Sequence, residues 1–306
     1  MKYSGIGGQA VMEGVMMRNG ENYAVAVRLS DGTIHVDKKK TKGQESIAYR
    51  IPIVRGVVNF INSLVMGMTT LMDSAAYFEE DGPKEMTPEE QKKKDKKDKA
   101  EMTVTLLVSI VLAIVIFLLL PYYFSRIMGR FVESQTLLAL IEGVFRIAIF
   151  IAYVLAISMM DDIKRVFMYH GAEHKCINCI EHGLELNVEN VRKSSKQHKR
   201  CGTSFLLFVL LVSVVVFMFI RFDSPVLQLL CRLLLVPVIA GISYEFIRWA
   251  GRSEHKVVQI LSKPGLWLQN LTTREPDDAM IEVGIASVEA VFDWKKFQDE
   301  NRGAFV

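Results

Sequence analysis

His170-Gly-Ala-Glu-His174 places two imidazoles four residues apart with a carboxylate between them. On a helix, residues four apart share a face, so both rings can reach one cation while Glu173 lies beside it. The order H-x-x-E-H is the inverted form of the H-E-x-x-H pattern of hydrolytic zinc sites. In that chemistry two imidazoles and a third donor hold the ion, a fourth position takes water, and the glutamate accepts the water's proton.

More ligands follow closely. Between 170 and 201 the chain carries His170, His174, Cys176, Cys179, His182, His198 and Cys201. Two zinc arrangements compete. In the catalytic one, His170 and His174 bind the ion with a carboxylate from elsewhere, and Glu173 is the base. In the structural one, Cys176, Cys179, His198 and Cys201 close a four-ligand clip with no open position. Against both stands the plain alternative that these histidines are surface residues of a basic segment. Cys231 lies apart, in an apolar run, where it reads as a small filler.

The elements that must position these groups are membrane helices. Half of the 306 residues are hydrophobic and 23% are charged, and the two classes segregate along the chain. Residues 103–124 carry no charge and suffice to cross a hydrocarbon core of about 30 Å as a helix. Residues 136–160, 203–220 and 226–247 complete a set of four spans. The first twenty residues lack the apolar core of a cleavable signal peptide.

Lys and Arg counts orient them. Sixteen precede the first span, eight lie in 161–202 and eight follow from Arg248, against three in the other loops (Arg126, Arg130 and Arg221). Positive segments stay inside, so both termini and the central loop are expected on the cytoplasmic side. Thiols there stay reduced, which favours metal or redox chemistry over disulfides. The net charge of +3 is then explained by anionic headgroups, without nucleic acid.

The expected organisation is a cytoplasmic β-containing domain over 1–56, an amphipathic or re-entrant helix over 57–80 and a charged linker over 81–102. A four-helix membrane domain over 103–248 follows, with a cytoplasmic His/Cys loop at 161–202, and a cytoplasmic tail over 249–306. Residues 23–36 read as a β-hairpin turning at Ser30-Asp31-Gly32. Lys-rich 81–100 cannot bury enough surface to fold alone and reads as a disordered linker or the solvated start of a helix. In the tail, Pro264-Gly265 suggests a turn, Trp267 and Leu268 an interfacial anchor, and Glu275-Pro-Asp-Asp278 a helix cap. Ile281, Ile285, Val288 and Phe292 form a packing stripe.

Two intramembrane charges, Glu142 and Arg146, are four apart and can pair on one helix face. Glu13 and Arg18, in the glycine-rich opening, can line a site or pair with each other. If the second span continues as a helix past Met160, His170 lies about 15 Å beyond the membrane exit. On height alone Glu254 or His255 then supplies the third ligand, with Glu245 lower. Gly171 and Gly251 are places where those helices could bend or stop.

Gly7–Arg18 (GGQAVMEGVMMR), Ile51–Gly56 (IPIVRG), Tyr169–Lys175 (YHGAEHK), Arg200–Phe205 (RCGTSF), Ser243-Tyr-Glu245 and Pro264–Asp278 (PGLWLQNLTTREPDD) together resemble the YqhQ-like family. These are bacterial membrane proteins of unassigned function, often described as predicted metal-dependent enzymes. The resemblance runs nearly end to end. It implies a site of His170, Glu173, His174, His198 and Cys201, with Glu245 as third ligand at an inverted-zincin spacing, and it departs from the family at Lys199. Cys176 and Cys179 lie outside the shared pattern. The reading is therefore a mainly α, polytopic protein of the bacterial cytoplasmic membrane with about four transmembrane helices and a small β-containing N-terminal domain. Its expected function is zinc-dependent or other divalent-metal hydrolysis at the cytoplasmic face, with a membrane protein or peptide as substrate. A scaffold or assembly factor is the second class, and a transporter the third.

Overall fold

The computed structural model describes residues 2–41, 46–78, 88–220, 222, 224–253 and 255–304. They fall into two compact units. The first joins Met1–Glu79, Val154–Val209 and Ala240–Val306, and the second joins Glu80–Tyr153 and Leu210–Ile239. The β-containing part is thus not a domain apart from the tail.

In the first unit, β1 (Gly7–Val11), β2 (Gly14–Asn19), β3 (Asn22–Arg28) and β4 (Ile34–Lys40) form an antiparallel meander in the order β1-β2-β3-β4. The expected hairpin is β3–β4, where Asp31 accepts from the Thr33 amide at 2.9 Å. Alternation sends Val15 and Met17 of β2 to one face and Met16 to the other. Both faces are covered. The first packs on α5 (Asp161–Glu181) and α10 (Asp278–Val291), and the second meets Met66 of α1 (Val54–Ala75).

The segment expected as a His/Cys loop is mostly helix. α5 starts at Asp161 after an extended Met160, with Asp161 and Asp162 in its first turn, where acids suit the positive helix end. It runs unbroken through Gly171. From Gly171 to Glu181 every residue is buried, including the polar Glu173, His174, Lys175, Asn178 and Glu181. α6 (Val188–Lys193) follows, capped by Asn187 accepting from the Asn190 amide at 2.9 Å. In the tail α9 (Lys256–Thr272) includes Pro264 and Gly265 within the helix, so the turn expected there does not form. Asp277 caps α10 through the Met280 amide at 2.8 Å, and Ile281 and Val288 are fully buried in the core as the stripe suggested.

Four helical stretches are long and apolar enough to cross a membrane by length and composition: Ala100–Met128, Gln135–Ile157, Gly202–Phe219 and Pro225–Ala250. The first comprises most of α2 (Pro88–Ile114), a π turn (Val115–Leu119) and α3 (Leu120–Met128). The others are α4 (Gln135–Ile157), α7 (Gly202–Phe219) and α8 (Pro225–Ala250). α2 reaches back to Pro88, so the described part of the segment expected as a charged linker is helical, and residues 81–87 lie outside the described residues. α4 stops at Ile157 and α5 is a separate helix, so the height argument for Glu254 loses its premise; Glu254 itself lies outside the described residues. α1 is not among the candidate spans. It exposes Ile61, Leu64, Val65, Leu71 and Met72 at helical spacing, while Thr70 and Ser74 hydrogen-bond toward the sheet.

Within the second unit the expected Glu142–Arg146 pair forms at 2.6 Å, and Arg232 of α8 joins it at 2.5 Å on the same carboxylate oxygen. All three side chains are buried. Pro121 has no N–H for the Phe117 carbonyl four residues back, and Arg146 Nε donates to that carbonyl at 2.8 Å. The π turn lies where the helix ladder is interrupted.

Candidate metal centre

His170, Glu173 and His174 project from one face of α5, as the spacing required. Cys201 meets them from the segment just before α7. One ligand atom each from His170, His174 and Cys201 lies within 4.8 Å of the other two, the one such group among the described residues. Cys201 Sγ is 3.3 Å from His170 Nε2, and the two histidine rings are 4.4 Å apart at 62°. Donor atoms around a tetrahedral zinc lie about 3.4–3.8 Å apart, so closing this set takes small side-chain movements.

The backs of both rings are tied down. His170 Nδ1 lies 2.9 Å from the Thr272 carbonyl and His174 Nδ1 2.6 Å from the Lys196 carbonyl. A carbonyl only accepts, so each Nδ1 carries the proton and donates, which leaves Nε2 directed at the cluster as metal-ligating histidines require. Side chains of α5 hold the loop that presents the second carbonyl. Lys175 donates to the Arg192 and Ser194 carbonyls at 2.9 Å each, and Asn178 donates to those of Ser195 and Gln197 at 2.7 and 2.9 Å. Gln269 of α9 brackets His198, accepting from its amide at 2.8 Å and donating to its carbonyl at 2.7 Å. The sequence reading did not single out Lys175, Asn178, Gln269 or Thr272. Asn178 follows His174 by four residues on α5, Lys175 is its immediate neighbour, and the last two lie in the Pro264–Asp278 motif; backbone carbonyl acceptors leave no side-chain signal.

Glu173 Oε2 is 3.8 Å from His170 Nε2 and 4.0 Å from His174 Nε2, on the cluster side. It lies against β1, where a Cβ on Gly8 would come within 2.9 Å of Glu173 Cγ. Burial raises the Glu173 carboxyl above its ordinary range, against the pull of both histidines. For Cys201, burial pushes the thiol up, but His170 and His174 outweigh it and bring it well below its ordinary value. The Thr203 amide in the first turn of α7 also points at the sulfur, at 3.4 Å. Burial opposes charge on His170 as well, yet the Cys201 thiolate and Glu173 raise it to about 9, and they raise His174 for the same reason. His174, Glu173 and Cys201 are buried, and only His170 keeps an exposed edge.

The other expected ligands are engaged elsewhere. Glu245 forms a two-pronged pair with Arg55, 2.6 Å at Nε, and accepts from the Ile53 amide at 3.4 Å. The third side chain beside His170 and His174 is Cys201 instead. His198 Nε2 faces Glu181 Oε2 at 3.6 Å, with its ring 5.7 Å from that of His174. Burial holds His198 below its ordinary value. Cys176 and Cys179 are core residues of α5, packed with Val283 and Ile281, so the cysteine clip does not form. Burial raises both thiols, Cys179 to about 11. Glu13 and Arg18 do not pair. Glu13 binds Arg165 and accepts from the Tyr169 hydroxyl at 3.3 Å, while Arg18 Nε donates to the Gly20 carbonyl at 2.8 Å.

The centre is flanked by a cavity of about 560 Å³ lined by Met168, Lys196, Asn270, Thr273 and Arg274 among others. It shares Lys196 with the support of His174 and includes the neighbours of Thr272.

No solved structure matches this chain. Among curated proteins, the Uncharacterized protein YqhQ of Bacillus subtilis (strain 168) is 34% identical over 301 residues, covering 97% of this chain and 95% of the relative. Residues 51–294, which hold every member of the His-Glu-His-Cys cluster, match the family described as Protein of unknown function (DUF1385), and the chain belongs to that family.

Proposed function

We propose that this chain is a membrane protein with a metal centre of His170, His174 and Cys201 at the cytoplasmic face, carrying out metal-assisted hydrolysis with Glu173 as base. The observation that carries the reading is the pair of imidazoles locked through Nδ1, with the Cys201 sulfur and the Glu173 carboxylate converging on their Nε2 side. His170, His174 and Cys201 would hold a divalent cation through two nitrogens and a sulfur, and such an ion would supply an acidified water as nucleophile. Zinc suits that donor set best, since thiolate and imidazole are its preferred ligands. Glu173 takes the water's proton and hands it to the leaving group; its raised affinity for protons fits that exchange. The apolar spans and interfacial helix α1 favour a substrate at the bilayer, a membrane protein or peptide, with both termini cytoplasmic by the distribution of Lys and Arg.

Metal content of the full chain purified in detergent tests this. The expected result is about one divalent ion per chain, lost in His174→Ala and Cys201→Ser and retained in Glu173→Gln. An ion that survives loss of either histidine would overturn the assignment. Cobalt substitution then separates catalytic from structural use. Acetohydroxamate should alter the visible bands of an open centre, and an inert spectrum would move the protein to the scaffold class with a structural ion. A second reading rests on the 3.3 Å Cys201–His170 contact: a thiolate nucleophile with His170 as its base. It requires no metal, and Cys201 would then react with iodoacetamide as fast with a chelator as without.

A further inference from the structure

A second cavity, of about 370 Å³ and with none of the cluster residues in its lining, is lined by Arg55, Arg200, Arg248 and Arg252. They come from the start of α1, the segment before α7, the last turn of α8 and the residues just after it. Two carboxylates offset them in part. Glu245 pairs with Arg55 and lies 4.0 Å from Arg248, and Glu181 pairs with Arg200 at 2.6 Å. Among the described residues, four guanidiniums less two carboxylates leave the cavity with two positive charges. Arg252 makes no ion pair with any described residue. Arg200 Nη1 is buried without a hydrogen-bond partner among the described residues.

Arginines at the end of a membrane helix ordinarily spread toward headgroups and water. Here they converge instead. The Tyr3 ring lies under two of them, 4.3 Å from Arg200 Cζ and 5.4 Å from Arg252 Cζ. Tyr49 and Tyr244 also line the space, and Tyr244 Oη accepts from Asn59 at 3.1 Å, which leaves its own proton to donate. Ile53, two residues before Arg55, has φ 68°, an unusual conformation for a β-branched residue. Glu245 holds that backbone through the Ile53 amide, so the strain is maintained where Arg55 is aimed. Guanidinium forks and phenol hydroxyls around a net-positive, partly desolvated cavity match the oxygens of a phosphate ester.

We propose that this cavity binds a phosphate-bearing anion, either the headgroup of an anionic phospholipid or a free phosphate. Its place beside the end of α8, a candidate span, sets it at headgroup level. The volume admits a phosphate with a glycerol-sized substituent.

The test is titration of the full chain in uncharged detergent at constant ionic strength, read by native mass spectrometry and by thermal shift. The probes are inorganic phosphate, dihexanoyl phosphatidylglycerol and dihexanoyl phosphatidylcholine. Saturable binding of phosphatidylglycerol alone identifies a lipid headgroup, and saturable binding of inorganic phosphate identifies a free ligand. Arg252→Gln should weaken either at least tenfold, with Arg248→Gln as the second variant should the first not fold. The proposal is overturned if neither anionic probe saturates, if phosphatidylcholine binds as tightly as phosphatidylglycerol, or if a folded variant binds like the natural chain.

Discussion

Gly8 and Gly171 are fixed by what faces them. A Cβ at Gly8 would lie 2.6 Å from the Met16 carbonyl oxygen and 2.9 Å from Glu173 Cγ; one at Gly171 would lie 2.0 Å from the Arg274 carbonyl oxygen. Alanine in mid-helix ordinarily gains about 1 kcal/mol over glycine. At Gly171 the contact is with backbone that cannot swing away, so Gly171→Ala should instead destabilise by a few kcal/mol, of the size found for overpacked cores. A melting temperature in detergent that rises would contradict this. Gly8→Ala should push Glu173 off the cluster while the histidines and Cys201 remain, lowering hydrolysis more than metal content. Among the three thiols of the first unit, Cys201 should be the one that iodoacetamide modifies after chelation, since burial keeps Cys176 and Cys179 protonated. Labelling located by peptide mass mapping checks it. The histidines, Glu173 and Cys201 were legible because spacing on one helix and a short cysteine motif mark them. Glu245 does not join the cluster, and a carboxylate at a zincin-like spacing carries the same sequence signal whether it faces an ion or an arginine.

Pro121, the π turn and Arg146 act as one element. The missing N–H frees the Phe117 carbonyl, the turn shifts the ladder, and the guanidinium satisfies the oxygen while pairing with Glu142. Arg232 adds a second cation to the same carboxylate, and both guanidiniums lie about 5 Å from the Phe217 ring. Removing the shared anion leaves two buried positive charges facing each other. Glu142→Gln should therefore cost on the order of 3–5 kcal/mol, more than either Arg146→Met or Arg232→Met in thermal melts of detergent-solubilised protein. Equal losses for all three would mean that the carboxylate is not the centre of the group. The spans were readable to within a few residues because apolar length alone defines them. Arg232 was missed as a partner because pairs within a helix are visible in sequence, whereas pairs between helices depend on packing. The break at Ser158–Met160 was hidden for a similar reason. It contains no proline or glycine, and the apolar run continues through it.

At the scale of the molecule, the first unit is assembled from three distant stretches of chain. Glu181, at the end of α5, is where several of its parts meet. Its Oε1 accepts from the Ser4 amide at 2.9 Å, the Ser4 hydroxyl at 2.7 Å and Arg200 at 2.6 Å, while Oε2 faces His198. The Lys2 amide also reaches its carbonyl at 2.9 Å. Burial alone would raise the Glu181 carboxyl, but His198, Arg200 and Ser4 outweigh it and hold it at about 2, below its ordinary 4.5. A carboxyl lowered by folding stabilises fully above its ordinary value and loses that contribution as pH falls toward its folded value. For Glu181 the window runs from about 4.5 down to about 2, and the contribution is on the order of 3 kcal/mol. His198, kept below its ordinary 6.5 by burial, adds a loss of the same sign that begins nearer pH 6.5, because only the unfolded chain takes up that proton readily. Melting of the natural chain should fall steeply below pH 4.5. Glu181→Gln should start lower at neutral pH and lose less on acidification, so the two curves converge near pH 2. Parallel curves across that range would show that the links from chain start to α5 to the segment before Cys201 are not held by this charge.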